Sequence, residues 1–182
     1  MGRCWTTAAV LAAVLAALAT ASSVGAAGGQ DRVSGAAIQT LGSEITGGAP
    51  EHDQYAVGAT ADADGSNPSG SIEYSSDAPG LPQQHFHGDV SQGCVIVNGN
   101  TATVVGILPP SEQFIDPVSG RLIDGVAVFV QDNGNPVQGQ PVDQAVSTLL
   151  FSSSVANVCA GAPPPSGFLP IEHGNFVVND AS

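Results

Sequence analysis

Cys94-Val95-Ile96-Val97-Asn98-Gly99-Asn100-Thr101-Ala102-Thr103-Val104-Val105-Gly106-Ile107-Leu108 decides the fold class. Two β-prone runs, Cys94–Val97 and Thr101–Leu108, flank Asn98-Gly99, and both turn residues tolerate positive φ. That is a hairpin signature. Similar short runs extend outward on both sides of it. Tyr55–Ala61 comes first, then a Gly65–Gly70 turn containing Asn67 and Pro68. Ser71–Ser75 alternates, with Ile72 and Tyr74 on one face. His85–Val90 also alternates, setting Phe86, Gly88 and Val90 against His85, His87 and Asp89. Gly125–Gln131 is apolar on both faces, as expected of a strand packed on two sides. Ala145–Phe151 and Asn175–Asn179 complete about eight strands, with no helix of three turns among them. Two longer loops, 109–124 and 152–170, interrupt the series.

Regular short strands with turns between them predict an all-β antiparallel meander, a sandwich or a closed barrel. The last strand is expected to pair near the first. Residues 54–182, about 130 in number, suffice for one core, so they are read as a single domain. Residues 27–53 are rich in Gly, Ala, Ser and Thr, and are expected to be a flexible, disordered tail. Within it, Ala36–Leu41 is the one candidate for a short helix.

Residues 1–26 have the layout of a secretory signal peptide. Arg3 precedes an apolar run from Ala8 to Leu18, and small residues at Ala19, Ala21, Val24 and Ala26 offer cleavage after Ala21 or Ala26. The run is shorter than the roughly 20 residues a membrane span needs. The expectation is therefore a secreted, extracellular chain with no stable membrane insertion after cleavage. Beyond the leader only Arg32 and Arg121 are basic, against sixteen acidic residues, for a formal charge of −14. Such a surface repels phosphates, so nucleic acid is not an expected partner. Its simplest use is solubility. The same segment has no Lys or Trp and only Tyr55 and Tyr74 as tyrosines. Schiff-base chemistry and aromatic sugar platforms are correspondingly disfavoured. Two cysteines remain, Cys94 and Cys159, and an exported pair is expected to form one disulfide.

The block His87-Gly88-Asp89-Val90, then Cys94 and Asn98–Gly106, resembles a family of small exported β-domain proteins from high-GC Gram-positive bacteria. The stretch Val126–Pro136, Cys159 and the ending Gly174–Asp180 are similar too, so the likeness covers roughly the last hundred residues. The spacing from Gly88 to Cys94 is longer here than the family's G-x-V-x-C. The family has no assigned activity, so the resemblance implies export, an all-β domain and a cysteine pair, and no catalytic residue.

Several side-chain groups are candidates for chemistry. His85, His87 and Asp89 share one strand face and offer an open divalent-metal site, set against a plain solvated face. Asp132, Asn133 and Asn135, with Asp143 nearby, gather oxygen ligands around a Gly turn but lack the late bidentate Glu of a calcium loop. Glu112, Asp116 and Asp124 supply loop carboxylates, which a glycosidase would need as a facing pair. No Gly-x-Ser-x-Gly elbow is present. The sequence thus points to a non-catalytic domain without a cofactor, acting on an unknown extracellular partner or small ligand. A metal-binding protein, an apolar-ligand carrier and, last, a secreted hydrolase are the alternatives.

Overall fold

The computed structural model describes residues 29–41, 50–77, 84–117, 119–134, 142–164 and 167–181. The proposed leader and its cleavage sites lie outside them. The strands are β1 (Gln30–Leu41), β2 (Glu51–Asp62), β3 (Ser69–Ser76), β4 (Gln84–Asn98) and β5 (Thr101–Ile107). They continue with β6 (Phe114–Ile115), β7 (Leu122–Gln131) and β8 (Gln144–Phe151). Helix α1 (Ser152–Cys159), β9 (Leu169–Pro170) and β10 (His173–Asn179) follow. All pairings are antiparallel, in the order β10-β1-β2-β3-β4-β5-β7-β8-β9, with β6 attached to β7. This single sheet curls into a half-barrel. The last strand returns to β1, with Arg32 opposite Asn179 and Ile38 opposite His173, so it lies one strand away from β2, the first strand read from sequence.

The alternation read from sequence sets the two faces. Val33, Val57, Ile72, Val90, Val104, Val126, Val128 and Phe176 point into the main core inside the curl. Ala127 and Phe129, the other face of β7, join Val105, Val146 and Leu150 in a second core outside it. Helix α1 covers that outer core with Val155 and Val158, and the Cys94–Cys159 disulfide ties the end of α1 to β4. The two-faced apolarity of β7 thus has a packing cause on each side. The close approach of β4 to β5 and β7 beside the register shift between Asp89 and Cys94 depends on glycine. A Cβ on Gly88 would sit 2.6 Å from Val126 Cγ1, and one on Gly106 would sit 2.7 Å from the Gly88 backbone.

Three expectations need correction. Residues 30–41, read as flexible tail and partly as helix, form the twelve-residue strand β1, and β2 begins at Glu51. Their order comes from neighbours, because β1 is paired on both sides, with β2 and β10. The hairpin joining β4 to β5 turns at Gly99 and Asn100, one residue later than expected. Asn98 pairs with Thr101 inside the ladder, and Gly99 takes the positive φ of 60°. The two long loops also carry structure, since β6 forms in the first and α1 and β9 in the second.

Candidate functional site

His85 and His87 lie on the exposed face of β4, while Phe86, Gly88 and Val90 are buried. The phase is the one alternation predicts. Glu73, directly opposite His87 on β3, spans both imidazoles. Its Oε1 lies 2.6 Å from His87 Nδ1 and its Oε2 3.3 Å from His85 Nε2. Glu112 Oε2 accepts the His87 backbone N–H at 2.6 Å. Asp89 is drawn elsewhere. Its carboxylate accepts Ser91 Oγ and Gln92 Nε2, with the Ser91 N–H, and these bonds hold it below the usual carboxylate range. Among the described residues no group of three or more His, Cys, Asp or Glu is arranged to hold a metal. Replacing His85 and His87 together by Gln should change urea-unfolding stability by less than about 1 kcal/mol, because exposed pairs contribute little. Metal content measured on the isolated protein should not change either.

The acidic turn after β7 serves the fold. Asp132 Oδ1 accepts Gly134 N–H at 2.7 Å, and its Oδ2 accepts Val178 N–H of β10 at 2.9 Å. Asp143 is buried, and its two oxygens accept Asn133 N–H and Phe176 N–H, each at 2.8 Å. Asn133 donates its side-chain amide to Val142 O. Asn135 lies outside the described residues. Asp132 and Asp143 thus cap the outer edge of β10 with carboxylates. The loop carboxylates are equally dispersed. Glu112 holds β4, Asp116 Oδ2 closes its own turn with Ser119, and Asp124 Oδ2 accepts Ser152 Oγ at the start of α1.

The most perturbed carboxyl was not a candidate from sequence. Asp53 is 2% exposed on the inner face of β2. Its Oδ1 accepts the Tyr74 hydroxyl at 3.0 Å and its Oδ2 the Ser147 hydroxyl of β8 at 3.3 Å. Burial, followed by the charge of Glu51, pushes its carboxyl up to about 6. Glu51 in turn accepts Ser76 Oγ. Beside this group, Gln39 of β1 donates Nε2 to Ala145 O, Leu169 O and Pro170 O at 3.1–3.2 Å. Its Oε1 accepts the Tyr55 hydroxyl at 3.4 Å. The β2 alternation puts Asp53 in phase with Tyr55, Val57 and Ala59, a legible sign of an inward carboxyl. Its partners, distant in sequence, were not legible. Glu51 and Asp53 are the carboxylates that come together on one strand face, but both Asp53 oxygens are occupied by protein hydroxyls and sealed from solvent.

In comparisons with known proteins, no family model, curated protein or solved structure matches the chain.

Proposed function

We propose that this chain is an exported, non-catalytic β-domain that acts by binding, at the cell surface or in the extracellular medium. The observation that carries this reading is the employment of its chemically capable side chains. Asp53, Asp132 and Asp143 spend their oxygens on the domain's own donors. His85 and His87 are engaged by Glu73. A hydrolase needs such groups aimed at substrate with one position free. The disulfide fits an oxidising compartment. Among the described residues no helix is long and apolar enough to cross a membrane. The resemblance to exported β-domains of high-GC Gram-positive bacteria points the same way.

A second reading, a carrier of a small apolar ligand, has one observation in its favour. Phe114, Leu149 and Phe151 pack on the inner core yet stay half-buried. Closed and curled sheets hold such ligands on their inner faces.

Expression of a tagged full-length chain in its native cells tests the main reading. The processed chain should be found in the medium or on the surface, accessible to added protease. The purified domain should turn over no chromogenic ester, glycoside or phosphate substrate. Retention in the cytoplasm, or turnover abolished by Asp53→Asn, would overturn it.

A further inference from the structure

The half-barrel ends in a seam, with β10 and β1 on one side and β8 and β9 on the other. Near the end of β1 this seam is bridged by side chains. Gln39 reaches three carbonyls across it, and Asp53 on β2 receives Ser147 from β8. Both residues are 2% exposed, so the bridge is a buried polar clasp. We infer that this clasp responds to pH, holding the seam closed while Asp53 is neutral and loosening it when Asp53 ionises.

The groups around Asp53 explain the direction. β2 itself contributes Glu51 and Tyr55, β3 contributes Tyr74, and β8 and β1 contribute the neutral Ser147 and Gln39. No cation stands among these groups to balance an ionised carboxylate. Burial is the largest cost of the charge and Glu51 the next, and they outweigh the hydroxyls of Tyr74, Ser76 and Ser147 that favour it. Burial and Asp53 together keep the Tyr55 and Tyr74 hydroxyls protonated, so both remain donors. A carboxyl raised from 3.8 to about 6 stabilises the closed seam fully below pH 3.8. That contribution is lost as pH rises through about 6.

Hydrogen exchange of the full domain at pH 5 and pH 7.5, corrected for intrinsic rates, tests this. Protection at residues 38–41 and 144–147 should fall about tenfold between the two conditions, from linkage of the raised carboxyl. Amides of the β4–β5 hairpin should not follow. Asp53→Asn keeps the shape and removes the charge, so its seam should show no such fall, while any contribution from the histidines persists. Unchanged seam protection in the unmutated protein would overturn the inference without recourse to the variant. So would an equal fall in every strand, which places Asp53 in global stability alone, or a fall that survives Asp53→Asn.

Discussion

Reducing the Cys94–Cys159 disulfide should destabilise the domain by roughly 4 kcal/mol, the chain-entropy value for a closed loop of this length. The bond links positions 65 residues apart. Its structural consequence is concentrated at α1. That helix has only eight residues, no side-chain cap at its N-terminus, no acid in its first turn and no base in its last. Helices so short do not persist in water without tertiary support. Val158 is its one buried residue, with Val155 half-buried beside it. The Ser152 hydroxyl bond to Asp124 and the disulfide hold its two ends. Once the disulfide opens, α1 should fray and uncover Val105, Phe129, Val146 and Leu150 on the outer face of the sheet. Thermal unfolding with and without a dithiol reductant should therefore show a Tm lower by about 10 °C in the reduced protein, given ordinary unfolding entropies. Binding of an apolar dye should rise in the same sample. A Tm within about 2 °C of the oxidised value would show that packing alone holds α1.

The fold was legible wherever apolar alternation marked it. The phase of β4 and the buried character of β7 follow from side-chain periodicity. Strand β1 was hidden because its inward positions carry Asp31, Val33, Gly35, Ala37 and Gln39, so only two of the five are apolar side chains. Asp31 is buried because it accepts Ala181 N–H, and Gln39 because it meets carbonyls more than a hundred residues away. An inward polar residue with a distant partner is indistinguishable, in sequence, from a solvated one. The same limit governs the site. The exposed face carrying His85 and His87 could be read from phase, whereas the pairing that brings Glu73 to both imidazoles could not. The roles of Asp53 and Asp143 depend on β8 and β10 arriving beside them, and no local pattern encodes that.

Asp143→Ala should cost about 3 kcal/mol, because it strands two backbone donors, the Phe176 N–H fully buried and the Asn133 N–H partly so. Asp143 is 3% exposed, and its carboxylate is the acceptor for both Phe176 N–H and Asn133 N–H. Phe176 is itself 1% exposed and stacks on Tyr55, so its N–H has little access to water once the carboxylate is gone. Bonds to a charged acceptor are worth more than neutral ones, which sets this loss above that of a typical buried side-chain bond. Asp143→Asn retains one acceptor oxygen, so it should lose about half as much. Urea unfolding of the three proteins measures both effects. The same series separates the structural role from the calcium reading of Asp132, Asn133, Asn135 and Asp143. A carboxylate already committed to two backbone donors leaves a cation no strong ligand there. Added calcium should therefore leave the Tm of the unmutated protein in place and restore nothing in Asp143→Ala. A calcium-dependent rise in Tm that disappears with Asp143→Ala would mean that this carboxylate exchanges its backbone partners for the ion. The edge of β10 would then be held by metal and not by Asp143 alone.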